Sequence, residues 1–380
     1  MTSFELPDDY LRLREQALEV AAAVADRAAT ADDADHADPV MLAALAASGL
    51  PMHCVPAAYG GVSDRVDTLA VTVVREALMA TSAHLDGLFG MQGVGSYALS
   101  LGAEPTVRET WLPRVARLES IAALALTEPD VGSDLKAITT TIVQDGGHLR
   151  LDGHKSFITN AGDAAFYTVL GREGEGYSLV FVPADTPGVE VRQGPRLLAP
   201  HIIGDVVFQD VKLPAEYRVG APGEAFRLVL ATLATFRVSV AGAAVGLAQA
   251  ALDEALRHTT ERHQFGAPLA TLGPIPHLLG TSWMEIEQAR TLTYRAAARA
   301  AADPLGNLDL SSMAKVAATE TAGRVTDRAV QMFGRFGVVA GSTIERLYRN
   351  ARPMRIYEGG NEVLLGQLAR RLVKQAAVVP

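Results

Sequence analysis

The chain has 380 residues, 49% of them hydrophobic and 20% charged, with 43 acidic against 34 basic side chains and a net charge of -9. That length exceeds one ordinary core and predicts two or three domains, while the acidic balance, with no basic stripe, excludes nucleic acid or an anionic membrane as the main partner. Cys54 is the only cysteine, which rules out an intramolecular disulfide and argues against a cysteine-based metal site; with an acidic start, MTSFELPDDY, where a secretory signal would be basic and then apolar, it leads us to expect a cytoplasmic protein that holds no metal.

From Pro7 to about Ser120, Ala- and Leu-rich segments of helical length are broken at Pro39, Pro51, Pro56, Pro105 and Pro113, predicting an N-terminal α-helical domain over residues 1–120. Between 121 and 220 the composition shifts to short runs of Val, Ile, Thr, Phe and Tyr. Turn pairs at Gly146-Gly147, Asp152-Gly153 and Pro187-Gly188 separate them, predicting a middle antiparallel β domain. From 221 to 380, long Ala-rich segments lie between Pro222 and Pro268, Pro276 and Pro304, and Pro304 and Pro353, predicting a long four-helix bundle. The fold class is therefore α+β, mostly α. Leu228 to Leu252 is apolar enough to be mistaken for a membrane span, but Arg237 in its middle marks a buried bundle helix. Gly242 and Gly246, four apart, would let a neighbouring helix approach closely.

Several short motifs carry chemistry. Thr127-Glu128-Pro129-Asp130-Val131-Gly132-Ser133-Asp134 follows the apolar run Ile121 to Leu126, and hydroxyls and free N–H groups after a strand suit the polar edge of a flat ring and a pyrophosphate, although an ordinary turn explains them too. Phe157-Ile158-Thr159-Asn160 lies just beyond the Leu151-Asp152-Gly153 turn. Arg237 is the only charge in its stretch, and a buried arginine needs an anionic or carbonyl partner; a structural ion pair across the bundle is one alternative to a supporting catalytic role. Glu261-Arg262-His263-Gln264-Phe265-Gly266 ends the first long helix, where a cation meets the helix dipole and Gly266 can cap. Gln331-Met332-Phe333-Gly334-Arg335-Phe336-Gly337 and Arg355-Ile356-Tyr357-Glu358-Gly359-Gly360-Asn361-Glu362 complete the set. In the last of these, two glycines let backbone come close to a ligand, so Glu358 reads as a base aimed into a pocket; a loop with its Glu in solvent is the plain alternative.

Taken together, these motifs resemble the acyl-CoA dehydrogenase family along nearly the whole chain. The resemblance implies that fold and FAD as cofactor, with Thr127 at the flavin ring, Ser133 at the FAD phosphates, Phe157 against the isoalloxazine in place of the more usual Trp, and Thr159 near flavin N5. It implies that Arg262, Phe265, Gln331 and Gly334 contact the FAD of a neighbouring subunit, in a homotetramer or at least a homodimer. Glu358 matches the catalytic base, with Tyr357 and Gly359 beside the substrate and Arg237, 25 positions before Arg262, in support. The expected reaction is α,β-desaturation of an acyl-CoA to a trans-2-enoyl-CoA, with α-proton removal by Glu358, hydride transfer to flavin N5 and electrons passed to an electron-transfer flavoprotein. Arg335, where a second glycine is usual, and Gly360, where Thr is usual, depart from the pattern. An acyl-carrier-protein substrate, a flavin oxidase of the same superfamily and a non-catalytic binding subunit are the other readings open to the sequence.

Overall fold

The computed structural model describes residues 6–377; residues 1–5, the beginning of the acidic stretch, and residues 378–380 lie outside it. The chain begins with helices α1 (Asp8–Ala23), α2 (Ala28–Asp32), α3 (Pro39–Ser48), α4 (Thr68–Met79), α5 (Ala83–Gly102) and α6 (Pro105–Ala116). Pro39 and Pro105 open α3 and α6, where a residue without an N–H loses nothing, and Asp38 caps α3 by accepting from the Val40 and Met41 N–H groups at 3.0 Å. Pro113 does not break α6 as the sequence suggested; it sits in the last turn, three residues before the helix ends.

Eight strands then form one sheet: β1 (Ala122–Ala125), β2 (Thr141–Asp145), β3 (His148–Thr159), β4 (Phe166–Glu173), β5 (Gly176–Pro183), β6 (Val189–Gln193), β7 (Ile203–Pro214) and β8 (Arg218–Val219). The order is β6-β7-β3-β2-β4-β5-β8, antiparallel except that β1 runs parallel to β4 and β2 touches β4 in parallel register at Thr141 and Arg172. The Asp152-Gly153 pair is not a turn. β3 runs straight through it, with a bulge against β7 between Leu151 and Gly153. Glycine is needed there for close packing instead, because a Cβ at Gly153 would fall 2.4 Å from Thr140 Oγ1.

Helix α7 (Ala225–Glu261) is followed by a two-stranded hairpin, β9 (His263–Gln264) and β10 (Ala267–Pro268), and then by α8 (Ile275–Ala302), α9 (Leu308–Phe333), α10 (Thr343–Ala351) and α11 (Asn361–Ala376). The apolar stretch read as a buried helix lies in α7, whose most hydrophobic window is 83% buried.

The described residues divide into two compact units whose boundary passes through α7 between Phe236 and Arg237. One holds α1, α4 and the chain from Arg237 onward; its core is built from Val238, Val245 and Leu247 of α7, Ile286 of α8, Ala318 and Val325 of α9 and Leu347 of α10. Here α4 is buried at all twelve positions and crosses α7 at the glycines, where a Cβ would meet Thr72 O at 2.5 Å from Gly242 and Glu76 O at 1.9 Å from Gly246. The other holds the end of α2, α3, α5 from His84 onward, α6, the sheet and the first turns of α7. Its core alternates along the strands through Leu149, Leu151, Tyr167, Val169, Val180, Val206 and Phe208, and Trp111 of α6 packs on Phe166 and Phe181.

Candidate active site

In the helical unit, Glu358 occupies the loop between α10 and α11 with φ +56°, a left-handed conformation that a residue with a Cβ resists, and Gly359 follows at φ +104°. Two buried cations hold this turn by its backbone. Arg237 donates from Nε to the Glu358 carbonyl at 3.0 Å and from Nη1 to Ser312 Oγ at 3.3 Å, and Lys315 donates from Nζ to the Gly359 carbonyl and to Asn361 Oδ1, both at 2.9 Å. A side chain at Gly359 would be strained by its positive φ and crowded, since a Cβ would lie 3.1 Å from Leu364.

The carboxylate is left with an unusual freedom. Glu358 Oε2 is buried and has no hydrogen-bond partner among the described residues. Burial pushes the carboxyl above the ordinary range, and Arg237, Arg75 and Lys315 pull it back through space. Arg237 forms no ion pair among the described residues, which excludes the cross-bundle pair considered from the sequence; its bond goes to the backbone oxygen rather than to the carboxylate. An unpaired, inward carboxylate of raised proton affinity, on a rigid turn, is equipped to take a proton from carbon.

In the sheet unit, the Thr127 and Phe157 motifs are neighbours, because the Ser156 N–H donates to the Thr127 carbonyl at 3.0 Å. A second bulge in β3, between Lys155 and Ile158, turns Phe157 outward at φ +56°, 51% exposed, between the buried Ser156 and Ile158. Thr127 and Thr159 are half-buried on either side of it in sequence, and Ser133 is exposed on a loop where a Cβ at Gly132 would meet nothing within 4 Å. An outward aromatic face with hydroxyls beside it, and an open glycine-serine loop with free N–H groups, fit a flat ring and its phosphates.

Glu128 anchors this edge. It turns inward to accept from the Thr139 N–H and hydroxyl at 2.7 Å, from the Thr140 N–H at 2.9 Å and from Lys155 Nζ at 2.9 Å, with both members of the pair buried. Burial alone would raise its proton affinity, but these donors outweigh burial and hold it at about 2. Lys155 is lowered by burial to about 8.

The third group is in the helical unit. Arg262 follows the last residue of α7 and lies over the Phe336 ring at 5.0 Å, as Arg335 does; His258 stacks on Phe333 at 4.1 Å. Gly266 does not cap the helix. Phe265 at φ +49° and Gly266 at φ +81° are the two central residues of the β9-β10 hairpin, a primed turn matched to strand twist, and Phe265 stands 97% exposed at its tip. Gln331 and Gly334 are exposed at the end of α9, where Gly334 has φ +58°.

Sequence models of the N-terminal, middle and C-terminal domains of acyl-CoA dehydrogenase match residues 7–119, 123–211 and 223–373. The chain belongs to the acyl-CoA dehydrogenase family. It is 34% identical to cyclohexane-1-carbonyl-CoA dehydrogenase of Geobacter metallireducens, over 93% of this chain and 94% of that protein, and 30% identical to the mitochondrial short-chain specific acyl-CoA dehydrogenase of Rattus norvegicus, over 98% and 92%. Its fold is similar to that of butyryl-CoA dehydrogenase from Megasphaera elsdenii (TM-score 0.92, 29% identity, covering 98% of this chain and 100% of that one). It is equally similar to a chain in a structure described as the electron transferring flavoprotein of Acidaminococcus fermentans (TM-score 0.93, 28% identity, 98% and 100%). The activity is accordingly that of an oxidoreductase acting on the CH–CH group of acyl-CoA thioesters, with FAD as cofactor.

Three residues escaped the sequence reading. Arg75 donates to Ser239 Oγ at 3.0 Å and acts electrostatically on Glu358; the signal was an Arg-Glu pair within an otherwise apolar segment. Lys315 is a lysine among alanines in α9, and Glu128 stood in a motif where attention went to Thr127 and Ser133. In each case the sequence shows the charge but not its burial.

Proposed function

We propose that Glu358 is the base that removes the α proton of an acyl-CoA, the observation that carries this being its buried, unpartnered Oε2 on a turn whose carbonyls are both held by cations. The N–H of Glu358 takes part in none of the backbone hydrogen bonds described and is suited to meet the thioester carbonyl as enolate charge develops. Arg237 positions this backbone. Tyr357 and Gly359 flank the reacting end of the substrate, which leaves as a trans-2-enoyl-CoA.

FAD, when bound, supplies the two-electron acceptor for the hydrogen leaving the β carbon. Phe157 provides a face for its ring, Thr127 and Thr159 hydroxyls for the ring's polar edge, and Ser133 a contact for its phosphates. Arg262, Phe265, Gln331 and Gly334 serve the FAD of a second copy of the chain, supported by the exposed hairpin tip at Phe265, so that at least a dimer, and by resemblance a homotetramer, is the working form. An electron-transfer flavoprotein is the proposed electron acceptor, which the likeness to the Acidaminococcus structure supports. A single buried cysteine, Cys54, suits the reducing cytoplasm proposed as its location.

The test is Glu358→Gln. The variant keeps FAD bound and loses flavin reduction by acyl-CoA by about 10²–10⁴-fold in an anaerobic titration. Reduction at the wild-type rate would remove Glu358 as the base.

A further inference from the structure

α9 carries a fully buried lysine between the buried alanines Ala314 and Ala318. The Lys315 ammonium has two acceptors, Gly359 O and Asn361 Oδ1, which lie one and three residues beyond Glu358. Asn361 in turn donates to Thr319 Oγ1 at 3.1 Å and Glu320 Oε1 at 2.9 Å, and Glu320 Oε2 pairs with Arg355 at 3.1 Å. Residues 355, 359 and 361 are thus tied to residues 315–320 of one helix, on both sides of the base. Gly323 completes the arrangement, since a Cβ there would lie 2.2 Å from Arg355 Nη2.

A neutral donor could hold the Gly359 carbonyl at less desolvation cost than a buried ammonium, so the charge itself calls for a use. We propose that Lys315 is a positioning residue for the reaction, fixing the left-handed Glu358-Gly359 backbone through the Gly359 carbonyl and letting its positive charge act through space on the Glu358 carboxylate. This rests on the reading of Glu358 as the base. The charged groups that act on Lys315 are Glu358, Arg237, Glu320 and Glu362, and those that act on Glu358 are Arg237, Arg75 and Lys315. Lys315 favours the ionised carboxylate, so its removal leaves Glu358 protonated to higher pH.

Two variants separate the roles. Lys315→Met removes donor and charge; Lys315→Gln removes the charge and retains a donor. Both are prepared as FAD-loaded holoenzyme, with flavin content and melting temperature recorded, and flavin reduction is followed against pH with whichever of butyryl-CoA, cyclohexanecarbonyl-CoA and palmitoyl-CoA reduces the wild type fastest. Lys315→Met is expected to slow reduction by roughly tenfold or more and to move the acid limb of the profile to higher pH, with faster amide exchange over residues 357–360; Lys315→Gln moves the limb with a smaller loss of rate. A purely structural lysine would lower the melting temperature and leave the limb in place. Wild-type limbs in both FAD-loaded variants, or unchanged exchange over 357–360 in Lys315→Met, overturn the proposal. Glu358→Gln run in parallel shows whether a failure belongs instead to the base assignment, because that variant then reduces normally.

Discussion

Phe157, Asn160, Phe265 and Glu358 have positive φ although none is glycine, and all four lie in motifs expected to touch flavin or substrate. Each such conformation costs about 1–3 kcal/mol and persists only where neighbours over-determine it. For Glu358 the neighbours are Arg237 and Lys315 on the two carbonyls. Gly359→Ala places a methyl at φ +104° and 3.1 Å from Leu364; it is expected to cost about 1–3 kcal/mol in urea unfolding and to slow flavin reduction while FAD stays bound. The raised proton affinity of Glu358 gives a pH dependence whose sign is fixed: the base is inactive when protonated, so the reduction rate rises with pH through a midpoint above the ordinary carboxylate range, a limb that stopped-flow bleaching measures directly.

At the scale of elements, the Glu128-Lys155 pair joins the loop after β1 to β3. The folded-state value of Glu128, about 2, lies below its unfolded value of 4.5, so its contribution to stability is complete above the unfolded value and is lost as pH falls through the window between the two. Lys155→Met, which leaves Glu128 buried without its cation, is expected to destabilise the protein by about 3–5 kcal/mol and to move acid unfolding to higher pH in a circular-dichroism titration. The crossing of α4 and α7 is equally specific. Gly246→Val sets a branched side chain against Glu76 O, already only 1.9 Å from a Cβ, and the helices must separate; a loss of about 1–3 kcal/mol is expected, read as a lower denaturant midpoint with unchanged slope.

For the molecule as a whole, Phe265 tests the assembly. A side chain 97% exposed on a short hairpin contributes little to the fold of its own chain, so Phe265→Ala should leave the melting transition of the apoprotein in place while weakening FAD binding and shifting sedimentation toward smaller species. Much of the fold was legible because proline and composition change at the right places: the helical start, the β-rich middle and the long helices can all be read from spacing. The Asp152-Gly153 turn was misread because glycine serves close packing against Thr140 as readily as it serves a turn. Gly266 was misread as a cap because the sequence does not show that Phe265 shares its left-handed conformation. Glu358 could be found from its two glycines and a resemblance. Lys315 and Arg75 could not, since their partners stand 44 residues and 164 residues away along the chain, and no local pattern reports such contacts.

The left-handed conformation of Glu358 has a consequence for how this protein would respond to selection. Asparagine and glycine are the residues that tolerate such a backbone, and neither would place an unpaired carboxylate in the interior. Glu358→Asn is therefore expected to melt at a higher temperature than the wild type while losing the reaction. A library screened for heat resistance alone would enrich for chains that had discarded their own chemistry, and the glutamate would survive only where growth depended on turnover.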